Sequence, residues 1–251
     1  MFYRVAGLPN YGILMTYTYR IILAVCFLSI FPFSYAFQND TSRENIFSLS
    51  NYDVIKTIKV EGIEDDLSGI TYSPVSDSLF AVINEPPMLV ELDKSGNVIR
   101  NIELIGFDDT EGVTYRYDNV FAITQERYRK VSLVTITSQT QELNASQYKS
   151  LSLVMERGDN WGLEGVAWSP LKGMFLANEK SPSRITRLPL PLFTGMQQAG
   201  KDYSDILPQQ IDKLPLKDIA GLHVVDQQSR LLVLSDESVS YTHLTLPTIQ
   251  L

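Results

Sequence analysis

Short apolar runs separated by polar, turn-rich stretches dominate the chain from about residue 51 onward. The first such group has apolar runs at 70–72, 79–83, 89–92 and 98–104. Runs of this length, rich in β-branched and aromatic residues, predict β-strands rather than helices. The turn at 93–97 contains a glycine, which can adopt the positive φ of a hairpin bend. We therefore expect four short antiparallel strands in this stretch and an all-β fold.

The same arrangement recurs four times. Each copy has an acidic residue shortly before a glycine, then an apolar strand, a turn, a second apolar run and a glutamate. The glycines are Gly69, Gly112, Gly165 and Gly221, so the steps between copies are 43, 53 and 56 residues. Four strands repeated at about 40–50 residues are typical of β-propeller blades. We expect residues 189–214, which lack regular alternation, to form a surface excursion.

Two further features of the repeat predict packing rather than ligand binding. The glycine stands where the chain enters the crowded inner strand, and close packing of the backbone there would require it. Tyr72, Tyr115 and Trp168 occupy equivalent places after it, and we expect them to pack between blades.

Composition and charge narrow the choice of partners. The chain has 44% hydrophobic residues, 13 Tyr and 11 Phe, which is enough apolar material for one sizeable domain. Its net charge is -8, and residues 1–36 contain two arginines and no acid, so the remainder carries 19 - 29 = -10. Such a surface repels phosphate backbones and attracts cations, so we expect no nucleic-acid partner.

The N-terminal segment has the features of an export signal. Arg20 precedes the apolar run 21–31, and a small-residue step ends at Ala36. We predict that residues 1–36 are a signal peptide or an N-terminal membrane anchor and that 37–50 form a linker. Cys26, the only cysteine, lies inside the apolar run, so the exported part has no thiol for disulfides, zinc-thiolate sites or nucleophilic catalysis.

The C-terminal segment resembles the translation of a transposon adapter used in sequencing libraries. The resemblance covers Val239 to Thr248 and begins while the fourth repeat is still incomplete. We therefore interpret residues 239–251 as an artefact and leave His243 out of the functional argument.

Acidic residues of the repeat should converge on one face, because the start of the inner strand and the end of the second strand are neighbours in an antiparallel blade. The predicted neighbours are Glu111 with Glu126, Glu164 with Glu179, Asp66 with Glu85, and Asp218 with Glu237. Facing like charges are unfavourable unless something neutralises them. Because Ca²⁺ takes several oxygen ligands and needs no thiol or imidazole, we predict a calcium site with Glu111, Glu126, Glu164 and Glu179 as ligands.

A structural explanation of these acids stays open. Cationic side chains that follow closely, or backbone N–H groups in turns, would also satisfy the carboxylates. Those cationic residues are Arg127, Lys180 and Arg184. Asn84 and Asn178 each precede a glutamate and would either add neutral oxygen ligands or form turns. His223, in the fourth inner strand, is interpreted as an ordinary strand residue.

Several stretches of the chain resemble the SdiA-regulated (YjiK-like) family of bacterial envelope proteins. They are residues 67–91, 96–104, 111–127, 163–180 and 231–238. The resemblance spans roughly 51–238 and implies a six-bladed propeller of the NHL and phytase-like kind that faces the periplasm. With six blades in the full-length parent, this chain would hold a partial propeller of about four, the last one incomplete.

Two functions are compatible with this interpretation. The first is a module that binds or senses a ligand or an envelope protein on its acid-lined face, in the periplasm or on the periplasmic face of the inner membrane. The alternative is a calcium-dependent hydrolase of phosphoesters or lactones, because the Glu-Gly pairs are similar to the ligands of calcium-dependent propeller hydrolases. A metal-bound water with a carboxylate base would then carry the reaction. The sequence contains none of the common nucleophile-elbow, P-loop, zinc-protease or dinucleotide motifs.

Overall fold

A computed structural model describes residues 53, 55–63, 67–153, 162–180, 183–188, 198–199, 204–206, 216–225, 230–237 and 240–245. These residues lie in one compact unit, Tyr52–Leu251. They contain β-strands and a single-turn 3-10 helix, Ala145–Gln147, but no α-helix. Within this described part, no helix is long and apolar enough to span a membrane. The predicted signal segment and linker lie outside the described residues.

The strands form four sheets, and each sheet contains one copy of the repeat, so we call the sheets blades 1 to 4. Blade 1 contains β1 (Leu67–Ser73), β2 (Ser78–Ile83), β3 (Met88–Leu92) and β4 (Val98–Ile105). Blade 2 contains β5 (Thr110–Tyr117), β6 (Val120–Gln125), β7 (Lys130–Thr135) and, after β8 (Glu142–Asn144), β9 (Ser150–Leu153). Blade 3 contains β10 (Leu163–Ser169), β11 (Gly173–Asn178), β12 (Arg184–Leu188) and, after β13 (Gln198–Ala199), β14 (Ser204–Ile206). Blade 4 contains β15 (Gly221–Val224), β16 (Arg230–Ser235) and β17 (Ser240–Thr245).

Consecutive strands within each blade pair antiparallel, as the sequence predicts. Two short segments cross between blades instead. β8 pairs parallel with β4, and β13 pairs parallel with β9. Each segment leaves its own blade after the third strand and covers the outer edge of the preceding blade, where unpaired backbone groups would otherwise be exposed. Residues 189–214 thus include β13 and β14, and the prediction of a simple surface excursion is wrong for these two strands.

The repeat glycines are explained by the approach of neighbouring inner strands. A Cβ on Gly69 would lie 2.7 Å from the Glu111 carbonyl oxygen, and a Cβ on Gly112 would lie 2.7 Å from the Glu164 carbonyl oxygen. Gly165 is packed in the same way, 3.1 Å from the Leu222 backbone nitrogen. The inner strands β1, β5, β10 and β15 therefore lie side by side in chain order, as in a propeller. The prediction of close backbone packing is confirmed.

The hydrophobic core lies between successive blades, because the middle strands of each blade have apolar side chains on both faces. Phe80 of blade 1 and Phe121 of blade 2 are both buried, and their ring centroids are 4.8 Å apart. The three clusters between blades combine Phe80, Val82 and Leu89 with Val113 and Phe121; Ala122 and Val131 with Val166 and Leu176; and Phe175 and Ile185 with Leu231 and Val233. This explains the continuous apolar runs, since a strand buried on both faces has no polar side to alternate with.

Two of the three aromatic residues pack between blades as predicted. Tyr115 packs against the cluster that joins blades 1 and 2, with its ring edge-on to Phe121 at 5.5 Å. Trp168 lies under the guanidinium of Arg116 from blade 2, whose carbon is 4.0 Å from the ring centroid. The prediction for Tyr72 is wrong, because its side chain is exposed and donates a hydrogen bond of 2.5 Å to Asp77. Another part of blade 1 is covered by the chain before β1, where Val60 and Ile63 pack against the apolar side chains of β2 and β3.

Blade 4 has three strands in the described part of the chain. β17 pairs with β16 from Ser240↔Ser235 to Thr245↔Arg230, so the segment interpreted as adapter-derived is extended. Any extended segment that follows a hairpin turn can form such backbone hydrogen bonds. Its origin therefore stays a prediction, as does the six-blade count.

Candidate acidic site at the blade corners

The acidic residues are positioned by the register of the first hairpin in each blade. At the corner of blade 2, Thr110 opposes Gln125, and Glu126 donates its backbone N–H to the Asp109 carbonyl at 2.8 Å. At the corner of blade 3, Leu163 opposes Asn178, and Glu179 donates to the Gly162 carbonyl at 3.3 Å. The start of the inner strand and the end of the second strand are therefore fixed side by side.

Five carboxylates converge at these corners in two overlapping groups. Asp109, Glu111 and Glu126 form the first group, and Glu126, Glu164 and Glu179 form the second. Within each group the nearest side-chain oxygens lie within 4.8 Å of one another. The sequence-predicted approaches of Glu111 to Glu126 and of Glu164 to Glu179 are confirmed. The sequence argument missed Asp109 as a member and missed the approach of Glu126 to the next blade.

The pKa values of two of these carboxyls are raised. Burial raises the pKa of Glu126 to about 7, and the negative charges of Asp109, Glu111 and Glu179 add to the effect. Burial raises the pKa of Glu164 to about 8, with further contributions from the four surrounding carboxylates. In the absence of a cation, the corner between blades 2 and 3 therefore holds protons near neutral pH.

The first group is partly compensated by protein donors. The Asn84 side-chain amide donates to Glu111 at 2.7 Å and to Asp109 at 3.2 Å. Arg127 lies 3.5 Å from the Asp109 carboxylate and 3.6 Å from Asp108. Asn84 thus presents its N–H₂ group to the carboxylates, which is not the oxygen-ligand role considered from the sequence.

The second group has a cationic neighbour at its edge. Lys180 forms an ion pair of 2.8 Å with Glu179 and also contacts Glu237 of blade 4. Both carboxylates raise the pKa of Lys180. The alternative of structural pairing is therefore confirmed for Lys180 with Glu179, whereas Arg127 pairs with Asp109 and Asp108, which were not among the predicted acids.

Blade 3 departs from the repeat at Gly162. The residue three positions before the repeat glycine is Asp66 in blade 1, Asp109 in blade 2 and Asp218 in blade 4, but Gly162 in blade 3. A Cβ on Gly162 would lie 1.8 Å from Oε1 of Glu126. The Glu126 carboxylate therefore occupies the space beside Gly162 that a side chain at this position would need.

The remaining predicted residues have other surroundings. Asp218 is 2% exposed and accepts hydrogen bonds from the Ser235 hydroxyl and from the backbone N–H groups of Asp236 and Glu237, both at 3.2 Å. It is therefore a structural cap of the blade 4 corner. Glu85 is exposed and belongs to neither carboxylate group. Asn178 is buried at the end of β11. Asp66 lies outside the described residues.

A cavity of about 290 Å³ runs along the inner strands below the corners. Its acidic lining residues are Glu111 and Glu164, and its apolar walls include Ile70, Val166 and Leu222. His223 is also on the wall, in β15, but belongs to neither carboxylate group. The two glutamates thus connect the acidic corners with the central cavity.

The donor set fits a hard divalent cation. Ca²⁺ binds carboxylate oxygens at about 2.3–2.6 Å, so two ligands on opposite sides of the ion are separated by about twice that distance. The oxygens of each group all lie within 4.8 Å of one another, so one ion among them could contact a carboxylate of all three residues. The described residues of the corners offer oxygen ligands and no sulfur.

Three solved structures are similar to this chain. A hydrazine synthase from Kuenenia stuttgartiensis matches with 14% identity and a TM-score of 0.44, over 70% of this chain and 57% of that chain. A catalytically inactive virginiamycin B lyase from Staphylococcus aureus, with quinupristin, matches with 12% identity and a TM-score of 0.44, over 71% and 52%. A streptogramin B lyase matches with 12% identity and a TM-score of 0.39, over 75% and 57%. The chain thus spans little more than half the length of each.

A family comparison covers most of the sequence. The sequence model of the SdiA-regulated family matches residues 44–248, which include all four repeats and both carboxylate groups. The β-propeller domain described above is this matched region. On this match, the chain belongs to the SdiA-regulated family.

Proposed function

We propose that this chain is an envelope-associated, periplasm-facing β-propeller that binds a ligand or partner at its acidic corners, together with a divalent cation such as Ca²⁺. The observation that carries the proposal is the placement of Glu126, whose carboxylate lies within 4.8 Å of acids from its own blade and from the next.

The electrostatic repulsion between these carboxylates supports the binding of a cation. Carboxylates this close cannot all ionise without a compensating positive charge. The raised pKa values of Glu126 and Glu164 express that cost. A bound divalent cation would offset it and would return both groups to the ionised form.

The second carboxylate group is the better cation position. The first group already receives the Asn84 amide at two oxygens and Arg127 at Asp109. In the second group, Lys180 lies at Glu179, on the side toward blade 4. We therefore place the cation between Glu126, Glu164 and Glu179, with Glu111 on the cavity side.

The envelope location rests on the sequence. A positively charged start, an apolar run and a small-residue step precede the propeller, and the exported part has no cysteine. Its acidic surface would favour cationic ligands and basic segments of envelope proteins over nucleic acids.

A second candidate function is calcium-dependent hydrolysis of phosphoesters or lactones. It is favoured by the cavity, because Glu111 and Glu164 both line it beside the proposed cation position. When bound, the cation would supply an activated water, and Glu111 on the cavity side would accept the proton of that water.

Calorimetric titration of the full chain with Ca²⁺ tests the main proposal. We expect binding below millimolar concentration for the wild type and a loss of at least about tenfold in affinity for Glu164→Gln. Asp118→Asn is the matched control, because it removes one exposed carboxylate at the opposite end of β5. Absence of binding by the wild type, or equal losses in both variants, would refute the cation site.

A panel of phosphoester and lactone substrates tests the second candidate. Calcium-dependent turnover that is lost in Glu164→Gln and kept in Asp118→Asn would establish a hydrolase. Equal rates in all three proteins would refute hydrolysis at this site, and binding would remain as the proposed function.

A further inference from the structure

Gly162 breaks the repeat at a corner where, among the described residues, a carboxylate reaches the acids of the next blade. The equivalent positions in the other copies are aspartates, and Asp218 shows what such an aspartate does: it caps the corner with three hydrogen bonds. Blade 3 lacks this cap. Losing such a buried cap destabilises a fold, so stability does not explain why blade 3 has a glycine at this position.

The reason is not backbone geometry. The φ angle of Gly162 is outside the left-handed region, whereas four other glycines, including Gly62 and Gly173, adopt it. The reason is not close backbone packing either. A Cβ on Gly112 would meet a backbone oxygen of Glu164, but the three atoms nearest to a Cβ on Gly162 are Oε1, Cδ and Cγ of Glu126, at 1.8, 2.3 and 2.3 Å.

We infer that Gly162 is a positioning residue, present so that the Glu126 side chain can reach the carboxylates of blade 3. This inference rests on the proposed cation binding and names the residue that shapes its site. The placement opposes stability, because it brings Glu126 among like charges. Sites that oppose stability are typical of function, and a stabilising substitution there should reduce activity.

The test is Gly162→Ala in the full chain. The new methyl group displaces a flexible side chain, so the fold should remain intact while Glu126 turns away from Glu164. We expect Ca²⁺ affinity, measured by calorimetry, to fall at least about tenfold. We expect the melting temperature at pH 8.5 without Ca²⁺ to stay equal or rise by about 2–4 °C. Gly112→Ala, with its backbone contact, is the matched control and should lower the melting temperature.

A double-mutant cycle separates this inference from the proposed function. In a Glu126→Ala background the side chain to be displaced is gone, so Gly162→Ala should have no effect on Ca²⁺ affinity and a different effect on melting temperature from that in the wild-type background. If the wild type binds no Ca²⁺, the proposed function fails, and the melting temperatures of the four proteins of the cycle still decide the role of Gly162. Equal effects of Gly162→Ala with and without Glu126, or a melting temperature lowered as much as by Gly112→Ala, would overturn the inference.

Discussion

Replacing Glu164 by glutamine should stabilise the protein in the absence of Ca²⁺, and the gain should grow as pH rises from about 4.5 to about 8. Glutamine has nearly the shape of glutamate, so Glu164→Gln changes the electrostatics of the corner without opening a cavity. In the native protein without Ca²⁺, the pKa of Glu164 is about 8, against 4.5 for an unperturbed glutamate. The folded state therefore keeps a proton that the unfolded chain releases.

The sign and size of the change in the free energy of unfolding follow from proton linkage. Below about pH 4.5 both states hold the proton, and wild type and variant should be equally stable at this site. Between about pH 4.5 and pH 8 the unfolded chain releases this proton while the folded protein keeps it, so the free energy of unfolding of the wild type falls progressively, and the loss is complete above about pH 8. The full pKa difference corresponds to about 5 kcal/mol. Coupling to Glu126, partial exposure and screening reduce this, so we expect a gain of about 1–3 kcal/mol for the variant.

Thermal unfolding of both proteins at pH 5.5 and pH 8.5, without Ca²⁺, measures this difference. A gain of that size raises the melting temperature of a domain of this length by about 2–10 °C at pH 8.5. At pH 5.5 the difference should be smaller, because the unfolded chain releases the proton from about pH 4.5 upward. A variant less stable than the wild type at pH 8.5, or a gain independent of pH, would refute the electrostatic reasoning.

Two further predictions concern the residues that hold the corners and inner strands together. Asp218→Ala should lower the free energy of unfolding by about 2–3 kcal/mol in urea titrations, because three hydrogen bonds of a buried carboxylate are lost; Asp236→Ala is the control, and equal losses would contradict the capping role. Gly112→Ala should cost about 1–3 kcal/mol by the same measurement, since its Cβ would lie 2.7 Å from a backbone oxygen. A neutral Gly112→Ala would contradict the close approach of β5 and β10.

The blades could be predicted from the sequence because their determinants are local. The apolar runs and the glycine turn at 93–97 specify hairpins within about 40 residues. The repeat glycines then indicate where the backbones must approach. The pairing of Glu111 with Glu126 follows from the same antiparallel geometry.

The relations between blades could not be predicted, because they depend on how one sheet is rotated against the next. Glu126 reaches blade 3 across that interface, and no local sequence pattern predicts the distance between its carboxylate and those of Glu164 and Glu179. β8 and β13 are short and carry no apolar run, so they give no strand signal. Glu85 was aligned with Glu126 by spacing, but the hairpin register pairs Leu67 with Ile83 as it pairs Thr110 with Gln125. The next residue, Asn84, therefore takes the corner position of blade 1 that Glu126 takes in blade 2.

One signal for the missing members was present in the repeat. The acids before the glycine fall in two columns, three residues before it in Asp109 and Asp218 and one residue before it in Glu111 and Glu164. Treating these as one feature concealed both the capping role of Asp218 and the exception at Gly162.

Anomalous diffraction from crystals of the full chain soaked in Ca²⁺ or Mn²⁺ tests the central claim most directly. We predict one strong peak between the carboxylates of Glu126, Glu164 and Glu179, with ligand distances of about 2.1–2.6 Å. A peak at another place, or side chains of Glu126 and Glu164 pointing to different ends of their strands, would contradict the account.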